Sequence, residues 1–356
     1  MNRTAIRLLC IALACVATCA RAGAWIEVAP AGTACWDGKP WKFWYRPGSD
    51  PRLAVYFEGG GGCWRADLCD PQGAPTFKGA ITAQDDPSTA QGLFDDSRHD
   101  NPIRGWRILF VPYCTGDVHI GRRTVDYARA DGTHFTFAHE GARNTRAALD
   151  WVAARTVAEA RPPPTVLVGG ESAGAIAASF WSDEIGERFP SAQLAVIGDA
   201  AGGYRSLGVP ALLAQWGVLD ALPPSPAYAD RERIYFESFY VASAAHHPGA
   251  RFGQVNFADD ATQRRFMSLL GTPTESLTKG LTCDLNEIRR ESPNFHSYIY
   301  PGDQHVMLRT PALYTTSCEG QRLVDWVRTL IDGGPIENRW CDGSGASLRT
   351  SPAPRL

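Results

Sequence analysis

The stretch 165-TVLVGGESAGAIAASFW-181 joins a short apolar run, a glycine-rich turn and a helix-forming segment. Its first four residues are typical of a buried strand, and the residues after Gly174 are typical of a helix. Between them, GESAG (170–174) has the GxSxG pattern, in which small residues flank a serine because the backbone turns too sharply for bulk. This order predicts a nucleophile elbow that exposes the Ser172 hydroxyl at a helix N-terminus. The alternative is a glycine-rich turn that merely links a strand to a helix.

Similar short apolar runs lie on both sides of this stretch. They are LAVYF (53–57), RILFV (107–111), LAVI (194–197) and SYIY (297–300). Apolar residues at helical spacing over Gly141–Val152 and about Gln321–Leu330 predict helices between and after the strands. Continuous apolar strands separated by helices indicate an α/β fold with a mostly parallel central sheet covered on both faces. We see no strong domain boundary and predict one α/β-hydrolase domain over residues 23–341.

The two ends of the chain have different compositions from the rest. Residues 1–22 have the layout of a cleaved secretory signal, with Arg3 and Arg7, the apolar run Leu8–Ala17 and small residues up to Ala22. The apolar run is too short to cross a bilayer of roughly 30 Å. We therefore expect a secreted or periplasmic protein without a stable membrane anchor. Residues 342–356, rich in serine and proline, are expected to form a disordered tail.

Charge and motif content exclude several classes of function. The chain has 35 Lys and Arg against 38 Asp and Glu, a formal net charge of −3. A mildly acidic chain is a poor candidate for binding nucleic acid. The sequence has neither a CxxC pair nor HExxH, so we expect no metal and no cofactor.

A polyglycine corner follows the run at 53–57. It reads EGGGGCW (58–64), and such a run lets backbone N–H groups approach a developing oxyanion, as the glycine-rich loops of lipases and esterases do. A phosphate is the rival ligand, but a P-loop requires a lysine after the glycines, and none follows here. We predict that the amides of Gly60, Gly61 and Ala173 form an oxyanion hole.

A nucleophilic serine requires a general base and an acid, which in this fold follow the serine in the order acid, then histidine. The histidine candidates are His246, His247, His296 and His305. His305 is favoured because it lies in a loop that leaves a strand near the C-terminus. His246 and His247 are expected at the surface, and His296 is expected in a strand.

The acid is less well defined by the residues alone. The candidates that precede His305 are Asp199, Asp259, Asp260 and Asp303. Asp303 is too close to His305 in the same loop. Asp260 follows a predicted strand at 253–258 and Asp199 follows the run at 194–197, so both of these remain open.

Four blocks of the sequence resemble the pectin acetylesterase family. They are YFEGGGGCWRADLC (56–69), VPYCTGDVHIG (111–121), GGESAGA (169–175) and PGDQH (301–305). The resemblance covers roughly residues 30–330 and implies an α/β-hydrolase fold that acts on O-linked acyl groups. In that family the acid lies in a D-x-x-Q pattern, which here selects Asp260 with Gln263. Asp199 resembles a segment that lines the site without being the acid.

The resemblance also implies how some of the cysteines pair, and this chain departs from the family pattern at two places. It implies disulfides between Cys63 and Cys69 and between Cys35 and Cys114, while the partners of the remaining cysteines stay open: Cys283, Cys318 and Cys341. The family's tryptophan after the glycine run is displaced by Gly62, with Trp64 beyond the cysteine, so the pocket wall is expected to differ. His119 faces the cleft or lies exposed in a loop.

These observations lead to one main functional prediction and two alternatives. We predict a secreted serine carboxylesterase that removes O-linked acetyl groups from pectin or another polysaccharide, with Ser172, His305 and Asp260 as its catalytic triad. The alternatives are a lipase or polyester-type esterase of longer acyl chains and an inactive module that binds acylated glycans.

Overall fold

The computed structural model describes residues 23–341 of the chain. The predicted signal sequence (1–22) and the predicted tail (342–356) lie outside the described residues. In chain order the strands are β1 (Ile26–Val28), β2 (Phe43–Arg46), β3 (Leu53–Phe57), β4 (Arg107–Val111), β5 (Arg123–Ala128), β6 (His134–His139), β7 (Thr165–Glu171), β8 (Gln193–Asp199), β9 (Arg251–Phe257), β10 (Phe295–Tyr300), β11 (Ser317–Cys318), β12 (Gln321–Arg322) and β13 (Arg339–Trp340).

Helices alternate with these strands over most of the chain. They are α1 (Ala66–Cys69), α2 (Gly141–Ala158), α3 (Ala173–Arg188), α4 (Gly208–Gln215), α5 (Glu237–His246), α6 (Ala261–Leu269), α7 (Thr278–Glu291), α8 (Ala312–Thr315) and α9 (Leu323–Asp332). Short 3-10 helices lie at Ala83–Asp85, Pro87–Thr89, Gly92–Phe94, Leu219–Ala221, Pro226–Tyr228 and Arg231–Arg233. None of the helices within residues 23–341 has both the length and the apolar character needed to cross a membrane.

The largest sheet in the described chain has the strand order β1-β2-β4-β3-β7-β8-β9-β10-β13. From β4 to β13 all neighbouring strands pair in parallel, whereas β1 and β2 are antiparallel additions at one edge. β5 and β6 form a separate hairpin. The mostly parallel sheet, with helices around it, is an α/β-hydrolase fold.

Two apolar clusters cover the two faces of the sheet because successive side chains of a strand point to opposite sides. On β3, Val55 belongs to the cluster that contains α2, α3 and α5, whereas Tyr56 belongs to the cluster that contains α9. The strands at the centre are therefore buried on both sides, which explains why they are apolar throughout.

The predicted elements agree with the observed ones except at their ends. Strands β3 and β4 have the predicted bounds, and β7 and β8 continue to the residues Glu171 and Asp199. These extensions are polar or glycine-rich, so the apolar pattern alone did not include them. They carry the strands up to the edge of the sheet at which Ser172 lies.

Disulfides join segments around the glycine corner. Cys63 pairs with Cys69 and Cys35 with Cys114, the two pairs that the resemblance implied. A third disulfide joins Cys318 to Cys341, and Cys283 is the cysteine of the described chain that remains unpaired.

Candidate active site

Ser172 occupies a sharp turn between β7 and α3. Its backbone has φ 54° and ψ −123°, a strained conformation for a residue with a side chain. A Cβ atom on Gly170 would lie 2.1 Å from the carbonyl oxygen of Gly174, and one on Gly174 would lie 2.0 Å from that of Phe57. Both glycines of the GxSxG pattern are therefore required by close backbone contacts.

The glycine corner lies beside this turn. A Cβ atom on Gly59 would be 3.0 Å from the Cβ of Ser172, and Gly61, Ser172 and Ala173 line the same cavity. Gly61 has a φ of 71°, and a Cβ there would lie 2.2 Å from the carbonyl oxygen of Thr76. The corner can therefore be built only with glycine at this position.

Three backbone N–H groups at this point have no acceptor among the described residues: those of Gly60, Gly61 and Ala173. The carbonyl of Gly60 and the N–H of Gly62 do bond to the neighbouring segment, to Lys78 N at 2.7 Å and to Thr76 O at 3.2 Å. The corner is thus held in place while its free amides can donate to a ligand.

His305 and Asp260 are brought together from different loops. His305 Nδ1 lies 2.6 Å from Asp260 Oδ2, and the Asp260 side chain is fully buried. Asp260 also caps helix α6, because its Oδ1 accepts hydrogen bonds from Thr262 N at 2.8 Å and Gln263 N at 3.0 Å. The Gln263 side chain donates in turn to Gly202 O. The D-x-x-Q pattern therefore anchors the aspartate that contacts His305.

Asp199 connects the serine turn to the histidine loop. Its carbonyl oxygen accepts a hydrogen bond from Ser172 N at 2.7 Å, while its Oδ2 accepts from Met307 N at 2.7 Å and Leu308 N at 2.6 Å. Burial raises the pKa of Asp199 to about 7, although the two backbone donors oppose this shift. Asp199 thus contacts the backbone after His305, whereas Asp260 contacts its imidazole. Among the described residues, the Ser172 hydroxyl makes no hydrogen bond to His305; such bonds commonly form only once substrate is bound.

The other candidates for the base and the acid lie elsewhere. His246 and His247 contact Asp183 on α3. His296 lies in β10. Asp259 accepts a hydrogen bond from Leu277 N, and Asp303 from the neighbouring Gln304.

The alternative of an exposed loop for His119 is wrong. Its relative exposure is 2%, and its Nε2 donates to the carbonyl oxygen of Glu58 at 2.8 Å, directly before the glycine corner. The ring packs against Phe57 and Tyr113. Burial lowers the pKa of His119 to about 4, so the imidazole is neutral at pH 7. His119 therefore supports the glycine corner through this hydrogen bond from the protein interior.

Two charged groups next to the corner were missed by sequence reasoning. Glu171 Oε1 accepts hydrogen bonds from Gly59 N at 3.1 Å and from Arg309 at 2.8 Å. Glu58 pairs with Lys78, and burial raises the pKa of Glu58 to about 7 in spite of that ammonium group. Glu171 lies inside the GxSxG motif and Glu58 directly before the glycines, but their partners are distant in sequence, so no local pattern could have identified these ion pairs.

An apolar cavity opens beside Ser172 and the glycine corner. Its volume is about 40 Å³. The side chains that line it include Trp64, Val118, Ile176, Tyr204, Trp216 and Phe266. A Cβ on Gly62 would lie 3.7 Å from the Trp216 ring, whose Nε1 donates to Cys63 O at 2.8 Å. Trp216 thus fills space next to the position where the resembling family has its tryptophan.

Clusters of three metal-ligating side chains occur at two places in residues 23–341, and neither includes Ser172, Asp260 or His305. The first contains Cys63 and Cys69 with His139, but its sulfur atoms are joined in a disulfide and cannot bind a metal. The second contains Asp183, His246 and His247.

Comparison with known proteins matches this chain to a protein family. A family model described as pectinacetylesterase matches residues 24–205, just over half of the chain. This span includes the glycine corner and Ser172 but ends before Asp260 and His305. No curated protein in the comparison matches the chain. The chain belongs to the pectinacetylesterase family and is a carboxylic ester hydrolase.

Proposed function

We propose that this esterase removes short O-linked acyl groups, above all acetyl, from a saccharide such as pectin, and that Ser172, His305 and Asp260 are its catalytic triad. The observation that carries the proposal is the pairing of His305 with the buried Asp260 in a chain whose Ser172 lies beside three backbone amides without an acceptor among residues 23–341. The three disulfides support an extracellular or periplasmic location, because disulfides persist in oxidising compartments.

The first half of the reaction acylates the enzyme. Ser172 Oγ attacks the ester carbonyl carbon while His305 Nε2 takes the hydroxyl proton. The carbonyl oxygen becomes an oxyanion that accepts hydrogen bonds from the amides of Gly60, Gly61 and Ala173. The tetrahedral intermediate then breaks the bond to the alcohol oxygen, and His305 returns its proton to that leaving group.

The second half restores the enzyme. Water attacks the acyl-serine as His305 takes one of its protons, and the same amides hold the second oxyanion. Breakdown of this intermediate releases the carboxylic acid and returns the proton to Ser172. Asp260 accepts the Nδ1–H of His305 throughout, which presents Nε2 to the serine and stabilises the imidazolium.

The cavity beside Ser172 supports a short acyl group. The cavity is small, with a volume of about 40 Å³, and bulky side chains such as Trp64, Trp216 and Phe266 line it. We expect an acetyl group to fit this space more readily than an octanoyl chain. The apolar lining matches the methyl end of such a group.

Hydrolysis of p-nitrophenyl acetate, butyrate and octanoate by the mature protein tests the proposal. We expect the acetate ester to be the best substrate and Ser172→Ala to lose nearly all turnover. Ser191→Ala, at an exposed serine on the loop before β8, is the matched control and should keep full activity. Release of acetate from acetylated pectin then tests the saccharide.

Other results of this assay would favour one of the alternative functions. Preference for the octanoate ester would favour a lipase or polyester-type esterase. Equal rates for Ser172→Ala and the unaltered protein would remove Ser172 from the mechanism and favour a binding module for acylated glycans.

A further inference from the structure

Three side chains with metal-ligating atoms meet where the end of α5 contacts α3. Asp183 lies on α3, His246 is the last residue of α5, and His247 follows it. His246 Nδ1 lies 2.5 Å from Asp183 Oδ1, and His247 Nε2 lies 3.0 Å from the same oxygen. One ligand atom of each residue lies within 4.8 Å of the other two.

We propose that Asp183, His246 and His247 form a zinc-binding site. Two imidazole nitrogens and one carboxylate oxygen suit Zn²⁺, whereas Mg²⁺ and Ca²⁺ prefer oxygen ligands alone. In a tetrahedral site with bonds of about 2.0–2.1 Å, the ligand atoms lie roughly 3.3 Å apart. The observed N–O separations therefore need to open by less than about 1 Å to admit the ion.

The cluster is open on one side and supported on the other. The His246 side chain is 53% exposed, which leaves a path for the ion and room for a water ligand. The side chains of Asp183 and His247 are 24% and 19% exposed. Behind them, Ser182 Oγ and Ser243 Oγ form a buried hydrogen bond of 2.7 Å between α3 and α5. The two helices that supply the ligands are therefore held together in the absence of an ion.

Gly186 determines where His247 lies. A Cβ on Gly186 would be 2.5 Å from His247 Cε1 and 2.7 Å from its Nε2, so the imidazole lies directly against the glycine backbone. This glycine is one turn after Asp183 on α3. Its missing side chain is what allows Nε2 to approach the carboxylate.

The local charge favours a cation. Asp183 supplies a carboxylate oxygen that both imidazoles contact. Glu187, one turn further along α3 than Asp183, adds negative charge near His247. A bound divalent ion would replace the imidazole protons as the partner of Asp183.

The proposed site is separate from the esterase chemistry. Asp183 is ten residues after Ala173 on α3, which places it about 15 Å along the helix from the serine turn. We therefore expect zinc to tie α3 to α5 and raise the melting temperature, since an ion that binds only the folded state stabilises it. Turnover of p-nitrophenyl acetate should not change.

Calorimetric titration of the tag-free, chelator-treated mature protein with ZnCl₂ tests the inference. We expect one zinc per chain, and binding about tenfold weaker or more in His246→Gln and His247→Gln. His134→Gln is the matched control, because the exposed His134 Nδ1 contacts Asp126 at 2.7 Å but belongs to none of the three-ligand clusters found in the described part of the chain. This variant should bind zinc as the unaltered protein does.

Two further variants test whether zinc binds at this site and not at the proposed triad. Gly186→Ala keeps all three ligands in a helix that tolerates alanine, yet its Cβ displaces His247, so it should also weaken zinc binding. Ser172→Ala should bind zinc fully, which separates this site from the proposed triad. Absence of zinc binding, binding that survives the double variant His246→Gln/His247→Gln, or equal binding of MgCl₂ would overturn the inference.

Discussion

The side chain of Asp199 accepts a hydrogen bond from the backbone N–H of Met307, two residues after His305, at 2.7 Å. The carbonyl group of Asp199 bonds to Ser172 N, so a single residue at the end of β8 fixes the backbone on both sides of the proposed Ser–His pair. Among the described residues its Oδ1 has no hydrogen-bond partner, and the imidazole of His305 bonds to Asp260 instead. Asp199 is thus a positioning residue for the site.

Replacing Asp199 with asparagine should lower kcat for p-nitrophenyl acetate by about 10- to 100-fold, the effect of small misplacements of reacting groups. The amide oxygen can still accept from Met307 and Leu308, but the new NH₂ group is buried at the unpartnered Oδ1 position. Asp199→Ala, which loses both acceptors, should be worse. Steady-state kinetics on variants shown to be folded by circular dichroism measure this. Activity equal to that of the unaltered enzyme in both variants would contradict the positioning role.

Replacing Asp260 with asparagine should lower kcat by a larger factor, about 10⁴, because an amide presents the wrong hydrogen-bonding group to His305 Nδ1. Asp303→Asn is the matched control. Asp303 lies in the same loop as His305, but within residues 23–341 its side chain hydrogen-bonds only to the neighbouring Gln304. If Asp303→Asn were the more damaging change, Asp260 would not be the acid.

Gly61 and Gly62 are adjacent in the glycine corner, but they should differ in how well they tolerate replacement by alanine. Gly61→Ala should lower kcat/KM by about 10²–10³, the effect of losing one oxyanion donor, because its Cβ meets Thr76 O at 2.2 Å and displaces the amide. Gly62→Ala should be nearly neutral, since its Cβ makes only ordinary contacts of 3.6 and 3.7 Å. The two variants should be compared for activity at equal folded fraction. Equal losses would show that Gly61 has no special role.

Trp216 lines the cavity beside Ser172, so replacing it should change the acyl chain length that the enzyme prefers. Trp216→Leu enlarges the cavity, and each additional methylene that it admits should raise the rate relative to acetate about fourfold, from roughly 0.8 kcal/mol of burial. The butyrate-to-acetate ratio of kcat/KM is the readout, because it is insensitive to the stability lost by truncating a buried tryptophan. An unchanged ratio would mean that the acyl group binds elsewhere.

The buried His119 should make the stability of the folded protein depend on pH. Burial lowers its pKa to about 4 in the folded protein, aided by the charge of Lys78 and opposed by the hydrogen bond to Glu58, while the ordinary value is 6.5. The unfolded chain therefore binds a proton that the folded state excludes between about pH 6.5 and pH 4, so this group makes folding less favourable as the pH falls through that window. The contribution can reach about 3 kcal/mol.

Urea unfolding at several pH values measures this effect. His119→Gln keeps an N–H donor for Glu58 O but cannot titrate. Its free energy of unfolding should therefore approach that of the unaltered protein as the pH falls from 6.5 towards 4. A difference between the two proteins that is constant across the window would contradict the assignment, and His134→Gln, at an exposed histidine, provides the baseline.

The sequence by itself determined the features that depend on neighbouring residues. The GxSxG turn, the glycine corner and the buried strands follow from local rules of backbone space and apolar periodicity, and β3 and β4 were predicted at their observed bounds. The residues alone left Asp199 and Asp260 open; only the family resemblance favoured Asp260.

Tertiary structure decided the contacts between distant segments. It brought Asp260 to His305 and Asp199 to Met307, buried His119 under the corner, set Trp216 beside Gly62, and paired Cys318 with Cys341. The meeting of Asp183 with His246 joins two helices in the same way. No local pattern records such contacts, because each depends on how whole strands and helices pack, and a side chain's partner is chosen only when that packing is complete.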